Sequence, residues 1–376
     1  MKVLLAGGRD GSKRIALAKE LVGVGCDVAV MGRFDHTVPS PRGIELVDYQ
    51  QSTRAALVSH RVGDELLEGI AGLNPDVIHT FTTIPGLEIP RHRGAAAVVK
   101  TVTGRGTAFP FPRSRVRLPI QAAYRRLQRA STQHVDHWVF QNSVDKRWFE
   151  QNVLPTGTST SMGGSGVECR YEPEPERSAA ANAVRTAMGI EPDTVLVLMA
   201  GRIIRPKGTL DLIRAAHMLR HQGVVLALAG SRHARPWDRV PNRVVRTAPD
   251  NVHFLGERND VADVMGAADI VALPTRYGEG LPRSLLEACA ARKAVVSTAA
   301  PGCADIVVDK VTGRLVRPRS PVELANVISE LTSDREAMHT LGKNARQHVC
   351  AEFALDKVVP VFLDAYERAI ARRSKG

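Results

Sequence analysis

Apolar residues along this chain come in short runs that alternate with stretches of helical spacing. "KVLLAGG" is apolar up to its glycines. "SKRIALAKELVGVG" then repeats apolar residues at Ile15, Leu17, Ala18, Leu21 and Val22 and stops at Gly25, and "CDVAVMG" is a second apolar run. Strand, helix and strand in that order predict a parallel sheet. "PDVIHTFT", "AAAVVKTVTG" and "HVDHWVFQN" predict further strands, the last of them closing the first half. The pattern breaks at "LPTGTSTSMGGSGVECRYEPEPERS", rich in Gly, Ser, Thr and Pro, which predicts a crossing between domains. It then restarts. "TVLVLMAGRI", "VVLALAG", "VHFLG", "DIVALPT" and "AVVSTAAPG" predict strands, with helices over "GTLDLIRAAHMLRHQG", "DVADVMGAA" and "LPRSLLEACAARK". The expectation is two successive doubly wound α/β domains, over 1–175 and 176–350, with a closing helix over 351–376. In such sheets ligands sit beyond the carboxyl ends of the strands.

Composition adds limits. The chain's 376 residues suit two ordinary cores, and no apolar run approaches the roughly 18 residues that would span a bilayer. "MKVLLAGGRDGSKR" reads as a first strand and not a secretion signal. Cys26, Cys169, Cys289, Cys303 and Cys350 are odd in number, widely spaced and free of C-x-x-C pairs. They point away from zinc and from a disulfide framework, toward reduced thiols in a cytoplasmic protein. Cys289 and Cys303 read as small core residues.

Charge changes the picture more. The formal net charge is +12, yet Ile89 to Val135 holds no Asp or Glu and ten Lys or Arg. Such a segment suits an anionic partner. Within it "IQAAYRRLQRA" reads as a helix with Ile120, Ala123, Tyr124 and Leu127 on one face and Arg125, Arg126 and Arg129 largely elsewhere. "FPFPRSRVR" precedes it with Arg113, Arg115 and Arg117. A basic amphipathic helix can lie on anionic lipid, which makes 113–129 a membrane-contact candidate. An ordinary packed helix with a cationic edge is the plainer alternative.

Two constellations carry chemistry. In "AGRIIRPKGTLDLI" a strand ends at Gly201, and Arg202 and Lys207 flank a loop entering a helix. Cations beside a helix start make an anion site, although a solvated basic loop has the same composition. In "RYGEGLPRSLLEACA", Glu279 lies between Gly278 and Gly280, and Glu287 lies on the helix that follows. Carboxylates accept hydrogen bonds from paired sugar hydroxyls; taken alone, Glu287 reads first as an exposed helix residue. His79, ending its strand, suits either a ligand-facing or a structural role. The stretch 230–239, "GSRHARPWDR", reads as a solvated surface excursion. There is no acidic D-x-D cluster of the sort that holds a metal.

The order G-R-x-x-x-x-K-G, then Glu, seven residues, Glu, resembles the donor domain of retaining glycosyltransferases of family 4. "GERNDVADVMGAADIVALPT" and "PGCADIVVDKVTGRLV" extend the likeness over most of 195–366. "HTFTTIPGLEI", "TVTGRGTAF", "VFQNSVDKRWF" and "GGSGVECRYEP" resemble a narrower bacterial branch that adds N-acetylhexosamine or similar sugars to polyprenyl-diphosphate-linked glycans. There Arg105 replaces a leucine and Glu168 an aspartate. The resemblance implies the GT-B fold, with two Rossmann-like domains facing a central cleft: an N-terminal acceptor domain, a C-terminal nucleotide-sugar domain and a last helix crossing back to the first.

It also implies roles. Arg202 and Lys207 would hold the donor diphosphate, Glu287 the ribose and Glu279 the transferred sugar. Gly201, Gly280, Leu281 and Arg283 would line the donor, with Gly7 and Gly8 on the opposite wall. Thr103 stands where relatives often place a catalytic histidine. The expected reaction is retaining transfer from a UDP-sugar, with no cofactor and no metal. The expected acceptor is lipid-linked or otherwise phosphorylated, at the inner face of the plasma membrane. Rival readings are transfer to a soluble small molecule, a GT-B sugar-nucleotide epimerase, and a nucleic-acid-binding protein using 89–135. The last has few interleaved aromatics and no recognised binding motif, so no nucleic acid is expected.

Overall fold

The computed structural model describes residues 1–34, 41–48, 70–81, 89–106, 109, 118–164, 166–169, 178–234 and 236–374. They divide into two compact units, Met1–Arg105 with Val116–Gly166 and Leu355–Gly376, and Gly106–Arg115 with Val167–Ala354.

The first unit is built on strands β1 (Lys2–Asp10), β2 (Asp27–Arg33), β3 (Ile44–Asp48), β4 (Val77–Phe81), β5 (Ala97–Val102), β6 (His137–Phe140) and β7 (Thr160–Met162). They pair in parallel in the order β3-β2-β1-β4-β5-β6-β7. Its helices include α1 (Ile15–Gly23), α2 (Leu118–Ser131) and α3 (Ser143–Asn152). The second unit holds β8 (Val195–Ala200), β9 (Val224–Ala229), β10 (Val252–Gly256), β11 (Ile270–Leu273), β12 (Ala294–Thr298) and β13 (Arg314–Val316), parallel in the order β10-β9-β8-β11-β12-β13. Around them lie α4 (Ala179–Ala187), α5 (Thr209–Met218), α6 (Val261–Ala267), α7 (Arg283–Ala290), α8 (Pro321–Ser333) and α9 (Arg335–Glu352). Sheets with helices on both faces bury both faces of each strand. That is why "VLVLMA" and "VVLALA" are continuous apolar runs with no alternation. Strand order reverses between β1 and β4 and between β8 and β11, and ligands bind beyond such reversals.

The last helix, α10 (Leu355–Arg373), packs Val358, Val359, Phe362, Ala365, Tyr366 and Ala369 into the core of the first unit. The chain passes between units at Gly166/Val167 and again at Ala354/Leu355. The two passages touch: the Val167 amide donates to the Phe353 carbonyl at 3.0 Å. Just inside the second unit Cys169 and Cys350 form a disulfide, with their Cα atoms 5.7 Å apart. This corrects the expectation of five reduced thiols. The partners are 181 residues apart in sequence, so spacing carries no sign of the pair; the meeting of the two passages creates it. Cys289 and Cys303 are buried free thiols, each pushed up to about 12 by burial.

Two local expectations change, and one edge strand is new. β1 runs past Gly7 and Gly8 to Asp10, with a register shift against β2 after Ala6. β6 is not the last strand of its sheet, because Thr160–Met162, inside the Gly/Ser/Thr-rich stretch, pairs beside it as β7. β3 lies at the opposite edge, where "IELVD" shows a weaker burial pattern than the inner strands. Edge strands need less apolar sequence, so composition marks them poorly.

Candidate active site

In the second unit the polar groups gather beyond the carboxyl ends of β8 and β11. After β8 the chain makes a 3₁₀ turn over Arg205–Lys207 and enters α5 through Gly208. Gly208 has φ 79° and an added Cβ would lie 1.9 Å from the Pro274 carbonyl oxygen, so only glycine lets this turn rest on the loop that follows β11. That loop presents Glu279, whose Oε1 lies 3.3 Å from Lys207 Nζ. The Tyr277 hydroxyl is buried and interacts with both Glu279 and Arg202. Burial and the Glu279 charge push it well above its ordinary value, and Arg202 opposes them. Arg202 itself is exposed. Gly201 adjoins the group, since an added Cβ there would lie 3.7 Å from Lys207 Nζ.

The Glu279 loop rests on the P-G-C turn. The Glu279 amide donates to the Pro301 carbonyl at 3.0 Å. Gly302, with φ 84°, sits so close that an added Cβ would lie 2.0 Å from the Gly280 carbonyl oxygen. Neither Gly278 nor Gly280 adopts a left-handed conformation; the strained glycines are those of the supporting turns. Leu281 and Pro282 are buried and α7 begins at Arg283. Arg283 Nε donates to Glu287 Oε1 at 2.7 Å, one turn along the helix. Neither N-cap residue, Pro282 of α7 or Gly208 of α5, supplies a side-chain cap, and both helix starts add positive potential beside Arg202 and Lys207.

A cavity of about 470 Å³ opens beyond β9 and β10, lined by Ser231, Arg232, His233, Arg239, Asn242 and Glu257. Gly230, φ 142°, packs directly on the Gly201 carbonyl and joins this cavity to the cluster above. The stretch 230–239 is therefore more than a solvated excursion: Asp238 is buried and its carbonyl accepts from the Arg205 amide at 2.8 Å. A larger cavity of about 880 Å³ lies at the amino ends of β8, β11 and β12. Two of its cations are turned to carbonyls, Lys293 to Gly266 at 2.7 Å and Arg335 to Asp193 at 2.6 Å. A parallel sheet binds ligands at its other end, so the smaller cavity is the candidate.

The first unit places its own motif residues together. Gly7 is aligned with Phe81, and Phe81 with Thr101, across β1, β4 and β5. An added Cβ at Gly7 would lie 2.9 Å from Arg14 Nε, whose guanidinium stacks 3.9 Å above the Phe81 ring. Thr103 follows β5 on a half-buried loop ending in two left-handed glycines, Gly104 and Gly106. Arg105 in that loop binds Asp145 at 2.6 Å and lies over Trp148. Asp145 is held in turn by Asn142, which caps α3 by accepting from the Asp145 amide at 2.7 Å. "QNSVD" thus caps a helix and braces the Thr103 loop. His79 proves structural: fully buried, its ring bonds Thr101 at 2.6 Å and Tyr366 at 2.8 Å.

In α2 the expected division of faces changes. Gln128 and Ser131 are the buried residues, bonded to the buried Lys100 ammonium at 2.8 and 3.1 Å. Tyr124 packs near Trp148 and Phe149. Leu118, Ile120 and Leu127 are exposed beside Arg125, Arg126 and Arg129. Arg113, Arg115 and Arg117 lie outside the described residues. Among the described residues no group of three or more His, Cys, Asp or Glu is placed to hold a metal ion, and no helix is long and apolar enough to cross a membrane.

Residues 182–348 match the family model for glycosyl transferases group 1. A D-inositol 3-phosphate glycosyltransferase of Salinispora arenicola is 32% identical over 209 residues, 52% of this chain and 46% of that protein. The N,N'-diacetylbacillosaminyl-diphospho-undecaprenol alpha-1,3-N-acetylgalactosaminyltransferase of Campylobacter jejuni is 30% identical over 175 residues, 46% of this chain and 45% of that protein. The chain spans about half the length of the curated relatives it matches. Among solved structures, Anabaena Alr3699/HepE in complex with UDP-glucose superposes with a TM-score of 0.75 at 20% identity, covering 98% of this chain and 99% of that one. Sucrose-phosphate synthase from Thermosynechococcus elongatus does so with 0.77 at 20%, covering 99% and 100%. The two parallel sheets have the GT-B architecture. The motif cluster of Arg202, Lys207, Tyr277 and Glu279 lies within the stretch that matches the group 1 glycosyl transferase model.

Sequence reasoning passed over Tyr277, Arg276 and Asp211. The last two are joined by a bidentate ion pair, Arg276 Nε to Asp211 Oδ2 at 2.8 Å and Nη2 to Oδ1 at 2.5 Å. A basic residue two places before a glycine and an acid in the first turn of a helix are ordinary by composition, and only their pairing singles them out.

Proposed function

We propose that this chain is a retaining glycosyltransferase that moves a sugar, an N-acetylhexosamine, from a UDP-linked donor to a lipid-linked or phosphorylated glycan. The observation that carries this is the convergence of Arg202, Lys207, Tyr277 and Glu279 beyond β8 and β11, beside the starts of α5 and α7. A diphosphate suits that potential, and Arg202 and Lys207 would neutralise its charge without a metal or cofactor. The carboxylates accept and do not donate. Glu279 would take hydroxyls of the sugar, and Glu287, whose second oxygen can accept beyond its bond to Arg283, those of the ribose. Gly201, Gly280, Leu281 and Arg283 would line the donor, and the 470 Å³ cavity gives the nucleoside room.

In the proposed chemistry the acceptor oxygen attacks the anomeric carbon from the face the diphosphate leaves. The departing phosphate oxygen takes the acceptor proton. No protein base is required, so the work of these residues is positioning and charge stabilisation. Thr103, Gly7 and Gly8 are assigned to the acceptor-binding unit, with Thr103 offering a hydroxyl and not a base.

The acceptor reading draws on two facts. The Campylobacter relative is named for an undecaprenol-linked diphospho-sugar acceptor. In α2, Leu118, Ile120 and Leu127 are exposed among arginines, the arrangement of a helix that lies on anionic lipid. Both facts support a location at the cytoplasmic face of the membrane. A soluble phosphorylated acceptor is the second reading, favoured by the name of the Salinispora relative.

Calorimetry with UDP and uridine tests the donor site. Wild-type protein should bind UDP. Replacing Arg202 and Lys207 together should weaken UDP about 100-fold or more and uridine little, since each charged contact contributes roughly 1.5–3 kcal/mol. Glu287→Gln should weaken UDP about tenfold, and Glu279→Gln should spare UDP while lowering transfer. Wild-type protein indifferent to UDP would overturn the reading.

A further inference from the structure

Lys207 and Glu279 come from loops after different strands, yet their charged atoms lie 3.3 Å apart. Arg276 joins the two loops. Its main-chain amide donates to the Pro206 carbonyl at 2.7 Å, inside the turn that carries Lys207. Its guanidinium grips Asp211, in the first turn of α5, through two hydrogen bonds. One residue thus holds the turn with its backbone and the following helix with its side chain. Asp211 is 2% exposed, and a buried carboxylate of this kind depends on its partner. Beneath the pair Gly208 and Pro274 meet backbone to backbone. Past it in the chain come Tyr277, which interacts with both Arg202 and Glu279, and then Glu279 itself.

We propose that the Arg276–Asp211 pair is a positioning device for the diphosphate site, setting the spacing of Lys207 and Glu279 without touching the donor. The proposal rests on the reading of that site given above. By position alone Arg276 would count as a third phosphate cation, three residues before Glu279 and in a basic loop. The geometry points the other way. Both oxygens of Asp211 hold the Nε–Nη2 edge of the guanidinium and offset its charge, which leaves the group less available to a phosphate. Its effect on the donor passes through the turn. Displacing a binding group by an ångström suffices to cost a site much of its action.

The test is the affinity of UDP and of uridine for wild type, Arg276→Met, Asp211→Asn, the double variant and Arg276→Lys, each with its melting temperature. The two single variants should each lose roughly 10- to 100-fold for UDP and at most about twofold for uridine. The double variant should lose no more than the worse single one, because the two residues act as one unit. Arg276→Lys, which keeps the charge and one of the two bonds, should recover part of the loss. If Arg276 touched the diphosphate directly, Asp211→Asn would free it, and UDP affinity would hold or rise while Arg276→Met fell. That result overturns the proposal, as do single variants that bind UDP like wild type. Should the Met and Asn variants fail to fold, Arg276→Lys decides: a lowered ratio of UDP to uridine affinity supports the pair, and an unchanged ratio overturns it. Wild-type protein that binds neither ligand overturns the donor-site reading, and the role of the pair with it.

Discussion

The two sheets keep their polar side chains in different places. In the first unit they are buried within strands: His79 on β4, Lys100 and Thr101 on β5 and His137 on β6, all at 2% exposure or less. In the second unit β8, β9 and β11 are apolar throughout, and the charged groups stand beyond the strand ends. The buried groups of the first unit tie helices and strands to the sheet. Lys100 reaches Gln128 and Ser131 on α2 and lies over the Trp138 ring, His79 reaches Tyr366 on α10, and His137 bonds Ser159 and Ser161 at the β7 edge. Buried hydrogen bonds add little net stability when made and cost much when broken. The first unit therefore uses them to place particular segments, α10 among them, which arrives from the far end of the chain. The second unit keeps β8, β9 and β11 apolar and sets its buried ties outside those strands: Arg185 bonds the Ala267 carbonyl and Asp269, Arg346 the Ala290 carbonyl, and Asn251 the Ala216 and Val224 carbonyls. The family model, over 182–348, falls wholly within it.

Acid should separate the units most. Burial lowers His79 well below its ordinary value and His137 to about 4, and lowers Lys100 to about 7. A histidine lowered in the folded protein is neutral in both states above its unfolded value near 6.5. Below that, the unfolded chain takes the proton first and stability falls until the folded value is reached. Between pH 7 and pH 5 both histidines should therefore lower the stability of the first unit. For Lys100 the same sign makes stability rise with pH from about 7 toward the unfolded value near 10.4. Chemical denaturation across this range, with hydrogen exchange to assign the melting segments, should show β4 to β6 loosening first in acid. Equal loosening of β8 to β12 would break the comparison.

Reduction should act on the other unit. The Cys169–Cys350 bridge lies entirely within it and closes a loop of 181 residues. Breaking a native bridge of this kind costs about 2–4 kcal/mol. Thermal melts with and without reductant, and with Cys350→Ser, should show the second unit weakened and the first unchanged. A protein indifferent to reductant would mean that packing alone holds the two passages together.

The smallest effect concerns the surface of α2. Exposed basic residues near an anionic bilayer contribute roughly 1 kcal/mol each. Changing Arg125 and Arg126 to Gln should weaken binding to acidic vesicles by about 2 kcal/mol at low salt, less at high salt. UDP affinity should not change, because the charged cluster that would hold UDP belongs to the second unit. Vesicle binding that survives both substitutions would move the membrane surface away from α2. Preference for duplex DNA over vesicles would revive the nucleic-acid reading.

Read in isolation, the chain already displays the alternation of buried runs and amphipathic helices, hence two parallel sheets, and the loops with Arg202, Lys207, Glu279 and Glu287. These features are local: a buried parallel strand must be apolar, and a loop between strand and helix shows its glycines and charges side by side. The edge strands β3 and β7 escaped notice because an edge demands less apolar sequence. What distant residues do to one another emerges only when the chain folds. Cys169 finds Cys350 where the passages meet, and His79 finds Tyr366 when α10 docks. Arg276 grips Asp211 across 65 positions. The α2 helix turns Gln128 and Ser131 inward and leaves Leu127 exposed, because the buried ammonium of Lys100 requires hydrogen-bond acceptors more than the helix requires an apolar contact. Periodicity reports which residues prefer burial; it is silent on which buried charge must be answered, and by whom.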